Sequence, residues 1–388
     1  MDRSCLLKGG EVFRNEKFEP LDILITGRVI EKIGGRLTAP GADEIDCSQT
    51  KICPGFIDIH CHGAMGNDIL DGAEAIRQIA RFKARQGTTG FLPTILTNQM
   101  ELMRRAALEA KRAMEMPEID GAGILGVHIE GPFVNPRFRG AQPEEAVKVP
   151  NLYETQQMLS DLGGALKMFT LAPELPNAEH VIRLLNRHDV VVAAGHSDCT
   201  YNQMKQAIGW GVRHVTHTFN AMRGIHHREP GMPAAMLDSR QVCCDFICDL
   251  IHVHEWVLKF FINAKGIDRC LLITDAISAA GMPEGEYTLN GQYVVVEGRA
   301  PRLIDGRLAG SVLTMIRGVR NLAEKVGVGL PGAIKMASEN PARLLGLFDT
   351  KGSLDEGKDA DLCVLDNRFR VVRTFVDGEM VYRPEPPE

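Results

Sequence analysis

The stretch Pro54-Gly55-Phe56-Ile57-Asp58-Ile59-His60-Cys61-His62-Gly63 reads as an apolar strand that ends in two histidines. Residues i and i+2 of a strand share a face. His60 and His62 are therefore expected to point together, into the interior with Asp58 below them, while Cys61 faces the other way. Seven further apolar runs of strand length follow: TGFLPTIL (89–96), ILGVHIE (124–130), LKMFTLAPE (166–174), VVVAAGHS (190–197), RHVTHTFN (213–220), QVCCDFICD (241–249) and RCLLITDA (269–276). Most are separated by helix-like sequence, such as AEAIRQIARFKARQ (73–86) and QMELMRRAALEAKRAM (99–114). Near-continuous apolar strands alternating with amphipathic helices describe a parallel sheet covered by helices. Eight such units predict an α/β chain closed as a TIM-like (β/α)8 barrel. The alternative, a doubly wound open sheet, loses its dinucleotide-binding form because no glycine-rich phosphate fingerprint follows an early strand.

The flanks differ. Residues 1–53 and 350–388 are rich in short alternating strands and turns, and Asp377-Gly378 is a hairpin signal. They are expected to form one small β-sandwich domain from both chain ends. The barrel then spans 54–349, with a β-hairpin insertion near 285–310.

Composition limits the partners. The chain has 388 residues, a net charge of −6 and 24% charged residues, which gives no general surface for nucleic acid or anionic membrane. No apolar run approaches the roughly 20 residues of a membrane span. The N-terminus lacks a signal-peptide core, so a cytoplasmic location is expected. The ten cysteines lie mostly inside apolar runs, as buried free thiols, and no CxxC pair suggests a zinc ribbon.

Five of the eight runs end in metal-ligand residue types: His60 and His62, Glu130, His196, His217 and Asp275. In such barrels the active site lies at the C-terminal ends of the strands. A lone strand-end histidine is more often structural, and His180, His188 and His214 are read that way. The joint pattern of six residues is read as a metal site. Imidazole and carboxylate ligands without thiolate suit Zn²⁺, Fe²⁺, Mn²⁺ or Co²⁺.

With these residues in hand, the chain resembles the amidohydrolase superfamily, and within it the N-acetylglucosamine-6-phosphate deacetylase family. PGFIDIHCHG, HIEGPF, GHS, HTFNAM, HHREPG, ITDA, LAGS, ASENPARLLGL and GKDADL match that family's segments in order. The resemblance implies Glu130, His196 and His217 as the principal metal ligands. It implies His60 and His62 as a pair that lets some members hold a second ion, so one or two per subunit. Asp275 is implied as the general acid/base, and Gln142 as the residue facing the acyl oxygen. Ala141, Asn220, Ala221, Arg228 and His252 are implied substrate contacts, with Arg228 reaching across a homodimer interface. Two positions depart from the family pattern: Gln142 stands where histidine is usual, and Leu250 where glycine is usual. Glutamine can still donate a hydrogen bond but cannot carry a charge.

The resemblance implies hydrolysis of N-acetyl-D-glucosamine 6-phosphate to D-glucosamine 6-phosphate and acetate by metal-activated water. The alternatives are the galactosamine epimer or another N-acylamino sugar phosphate, a catalytically silent metal-binding barrel, and a cyclic-amide hydrolase. The last usually relies on a bridging carboxylated lysine, where this chain has Glu130.

Overall fold

A computed structural model describes residues 4–117 and 120–385. Eight parallel strands form the barrel: Phe56–Cys61, Thr88–Leu96, Val127–Glu130, Leu166–Leu171, Val191–Ala194, His214–Val215, Cys243–Ile247 and Cys270–Ile273. Each is one of the eight apolar runs. The ring closes between the last and first strands, where the Asp275 amide donates to the His60 carbonyl (2.9 Å) and Cys61 bridges Ala276. Every strand is followed by an α-helix, from Ala73–Arg85 after the first to Met315–Asn321 after the eighth.

Two apolar layers explain why these residues build a barrel. Ile57, Ile59, Leu92, Met168, Ala193, Ile247, Leu271 and Ile273 share the inner cluster. Phe56, Cys61, Phe91, Phe169, Val192, Phe246 and Leu272 pack outward against helix residues such as Ile76, Met103 and Phe261. A strand buried on both faces needs apolar residues at every position, which is why the runs are continuous.

The first strand corrects one expectation. Asp58 is in phase with the outward-facing Phe56, so it does not lie below the histidines inside the barrel. It meets Lys83 of the helix Ala73–Arg85, with Nζ 2.5 Å from Oδ2, and accepts the Thr274 hydroxyl at 2.6 Å. The pairing with the second strand shifts register between Asp58 and Cys61. A bulge of this kind re-aims side chains. It turns His60 and His62 towards the barrel mouth, while Cys61 keeps its expected place against the helices.

Strands from both chain ends join one sheet. Ser4–Arg14, Lys17–Thr26, Val29–Gly34, Asp43–Asp46 and Lys51–Pro54 combine with Leu362–Leu365, Val371–Val376 and Glu379–Tyr382. The join runs through antiparallel pairing of Lys51–Pro54 with Leu362–Leu365. Its core mixes the two ends, with Leu7, Ile23, Ile30 and Ile52 against Leu362, Val364 and Phe375. At the tip of the last hairpin Asp377 and Gly378 adopt φ of 49° and 80°, the two positive values a tight primed turn requires.

After the eighth strand a three-stranded antiparallel sheet, Gly285–Leu289, Gln292–Glu297 and Ala300–Leu303, lies over the barrel mouth. Its buried face, Leu289, Val294, Val296 and Leu303, packs on Leu96, Ile277 and Ala279. This flap forms one wall of the site.

Candidate active site

All six strand-end residues converge. His60, His62 and Asp275 form one group whose ligand atoms lie within 4.8 Å of each other, and Glu130, His196 and His217 form another. Glu130 joins them. Its Oε1 lies 3.0 Å from His196 Nε2 and 3.1 Å from His217 Nε2, and its Oε2 lies 3.4 Å from Nε2 of both His60 and His62. Asp275 Oδ1 is 3.0 Å from His62 Nε2. All six are buried.

Three imidazoles have their tautomer set by their surroundings. Nδ1–H donates to a backbone carbonyl in His62 (Thr94, 2.9 Å), His196 (Phe138, 3.0 Å) and His217 (Asn220, 3.2 Å). That leaves each Nε2 aimed into the site, a lone pair where a cation sits there and, for His62 and His217 without one, a donor to Asp275 or Glu130. His196 and His217 Nε2 stand 3.1 Å apart, as do His60 and His62 Nε2. Converging lone pairs and carboxylate oxygens repel unless a cation sits among them. Glu130 Oε2 is buried with no hydrogen-bond partner, which is the mark of an atom reserved for an ion. The donor set therefore fits a divalent metal with nitrogen and oxygen ligands.

The electrostatics agree. Burial alone would raise the Glu130 pKa, yet the charge of His60 and hydrogen bonds from His196 and His217 hold it well below the usual carboxylate range. Burial would lower the His62 and His217 pKa values, but both are raised to about 9, His62 by its hydrogen bond to Asp275 and His217 by its hydrogen bond to Glu130. The site demands positive charge.

Backbone strain accompanies the ligands. His196, His217 and Asp275 have φ of 53°, 33° and 50°. Non-glycine residues keep such conformations where their surroundings over-determine them. Asp245 supplies that hold for His217, accepting its amide hydrogen through Oδ1 while Oδ2 takes His214 Nε2 at 2.7 Å. His214 is thus structural, and His180 and His188 are exposed on the outer surface.

Above the ligands lies a cavity of about 390 Å³. Gln142, Ala141, Asn220, Ala221 and His252 line it, as do His62, Glu130, His196, His217 and Asp275. Gln142 is buried; the Thr97 hydroxyl donates to its Oε1, and its Nε2 has no partner. His252 is held by Asp249, Nδ1 to Oδ2 at 2.7 Å. Leu250, at φ 67°, stands in the same turn and is absent from the cavity wall. Arg228 is not brought in. It lies on an exposed loop against His227 and lines no part of this cavity.

Residues 52–381 match the amidohydrolase family. The chain belongs to the amidohydrolase family. Among this family's members it is 37% identical over 363 residues to an N-acetylglucosamine-6-phosphate deacetylase of Lysinibacillus sphaericus, covering 93% of each chain. It is also 37% identical over 332 residues to an N-acetylgalactosamine-6-phosphate deacetylase of Escherichia coli O157:H7, covering 85% of this chain and 87% of that one. A solved N-acetyl-D-glucosamine-6-phosphate deacetylase mutant of Mycobacterium smegmatis, in complex with N-acetyl-D-glucosamine-6-phosphate, superposes with a TM-score of 0.91 at 30% identity, covering 98% of this chain and 99% of that one.

Several residues of the site escaped sequence reasoning. His128, two residues before Glu130, lies under the ligands with its ring 4.9 Å from that of His60; Nε2 is 2.8 Å from the Thr170 hydroxyl. Burial and the neighbouring His60 push its pKa well down, so it is a neutral imidazole. The same i, i+2 logic applied to HIE would have found it. Glu174 ties three loops, accepting from Asn135 (2.9 Å), Ser197 (2.6 Å) and the Asp198 amide (2.7 Å). Arg302 and Arg307 line the cavity from the flap, and no spacing in the sequence signals that. A third carboxylate cluster, Asp359, Asp361 and Asp377, converges on Lys351 Nζ at 2.9, 2.6 and 3.3 Å, so an ammonium already fills its centre.

Proposed function

We propose that the protein is a metal-dependent deacetylase that converts N-acetyl-D-glucosamine 6-phosphate to D-glucosamine 6-phosphate and acetate. The observation that carries this reading is Glu130, one oxygen facing each ligand group, on the floor of a cavity that also holds Asp275 and the unpartnered Gln142 amide. The named activities of the relatives support the substrate class. The galactosamine epimer is the second reading, because relatives of both names match at the same 37% identity.

Glu130, His196 and His217 would hold one divalent ion (Zn, Fe, Mn or Co), and His60 and His62 with Glu130 would supply ligands for a second. Such an ion would supply Lewis acidity, bringing water deprotonation towards neutral pH and polarising the acyl carbonyl. Asp275 takes the proton from the attacking water and delivers it to the leaving amine, which would otherwise depart as an unstable anion. Gln142 Nε2–H donates to the developing oxyanion; the Thr97 hydroxyl on Oε1 keeps the amide oriented for this. Asn220, Ala221 and His252 would contact the sugar phosphate in this cavity. Its own chain keeps Arg228 outside the cavity, so in this reading it would act on a neighbouring subunit of a homodimer. No helix among the described residues is long and apolar enough to cross a membrane, in keeping with a cytoplasmic enzyme.

Acetate release from N-acetyl-D-glucosamine 6-phosphate tests the reading, with the galactosamine isomer and unphosphorylated sugar alongside and metal content recorded. Fast release from the phosphorylated glucosamine compound is expected. No release by the fully metallated protein from any phosphorylated amino sugar would overturn it.

A further inference from the structure

The cavity wall contains two permanent cations, Arg302 and Arg307, and both come from the flap segment. Their chemical situations differ. Arg307 is committed: its guanidinium donates to Asp305 Oδ2 at 2.8 and 2.6 Å and to the Gly140 carbonyl. With Gln292 donating to the Ala141 carbonyl, and Asn290 to the Thr97 carbonyl at 2.7 Å, Arg307 pins the flap to the loop that carries Gln142. Arg302 makes one bond, from Nη1 to the Gly306 carbonyl at 2.8 Å, and among the described residues it has no carboxylate within ion-pair distance. It is exposed on the strand Ala300–Leu303, between the buried Pro301 and Leu303 that anchor that strand. The carboxylates on the cavity floor are already engaged by imidazoles.

An unneutralised guanidinium on a pinned strand, with most of its N–H fork unused, is a preorganised receptor for an oxyanion. We propose that Arg302 is an anion-recognition residue of this cavity, supplied by the same chain, and that the group it reads is the phosphate monoester of the sugar ligand. The identity of that group rests on the deacetylase reading above; the presence of an anion receptor does not. Arg307 serves as a positioning residue that keeps the flap in place.

The test is binding rather than turnover, with D-glucose 6-phosphate as the probe and D-glucose as its uncharged control, on the metal-loaded full-length protein. Titration calorimetry would compare the wild type with Arg302→Ala and Arg302→Lys at low and high salt. Loss of one charge-assisted contact should weaken glucose 6-phosphate binding about ten-fold or more in Arg302→Ala. Lysine should recover part of it, and the wild-type advantage should shrink at high salt. The proposal is overturned if Arg302→Ala binds glucose 6-phosphate as the wild type does, or if the wild type binds glucose and glucose 6-phosphate equally. A protein that shows the Arg302-dependent binding yet releases no acetate from any substrate would keep this proposal and remove the deacetylase reading.

Discussion

Asp275 sits where two demands meet. Its Oδ1 touches the His62 and His60 imidazoles at 3.0 and 3.4 Å, and its φ of 50° holds the carboxylate at the end of the eighth strand. Asp275→Asn keeps the shape and removes the proton acceptor. Turnover should fall by roughly 10²–10⁴-fold, the usual worth of a positioned acid/base, while metal content stays within error of the wild type. Near-normal acetate release from that variant would remove the assigned role. Lys83 offers a stability counterpart. Its ion pair with Asp58 is buried on both sides, 6% and 0% exposed. Lys83→Met would leave a carboxylate unpaired in the interior and should cost about 3–5 kcal/mol in urea unfolding. The double variant Asp58→Asn/Lys83→Met should recover part of that loss; a single variant as stable as the wild type would show the pair to be dispensable.

The informative elements are the ends of strands rather than their middles. After His62 the chain turns at Gly63, and a Cβ there would stand 2.4 Å from the Asn67 carbonyl oxygen and 2.7 Å from the Ser278 amide nitrogen. Both obstacles are backbone, so neither can swing away. Gly63→Ala should therefore displace the turn that carries His62, lowering metal occupancy and activity more than stability. Metal analysis beside a thermal melt separates the two, and full occupancy with wild-type activity would show that the turn adapts. The strand assignments were legible because burial on both faces writes continuous apolar runs. The direction of Asp58 was not, because strict alternation fails at the register shift that follows it. His128 lay within reach of the alternation argument that singled out His60 and His62.

The whole molecule brings carboxylates and imidazoles from five of its strand ends to one point. Chelation should lower the melting temperature by several degrees, since a ligand held only by the folded state stabilises by mass action. Restoring Zn²⁺ or Co²⁺ should return it; an unchanged melt after verified metal removal would mean that the ligands tolerate each other without an ion. Acid should act in the same sense. Burial alone would raise the Asp249 and Asp275 pKa values, but hydrogen bonds from His252 and His62 hold both below the ordinary value. A group with a depressed folded pKa contributes stability above its unfolded pKa and loses it as pH falls through the folded one. The urea midpoint should stay level from neutral pH to about 5 and drop below about 4. Asp249→Asn should flatten part of that drop.

By itself the sequence determined the barrel, its eight strands, the family and the six strand-end residues that converge at the barrel mouth, because parallel strands leave a recurring apolar record and chemistry sits at their ends. Only the tertiary structure decided that Asp58 serves the outer layer, that Arg228 stays outside its own cavity and that Arg302 lines it. Those outcomes depend on register, on one bulge and on where a folded-over sheet lands. Such distances are set by packing between segments far apart in the chain, and local pattern carries no record of them.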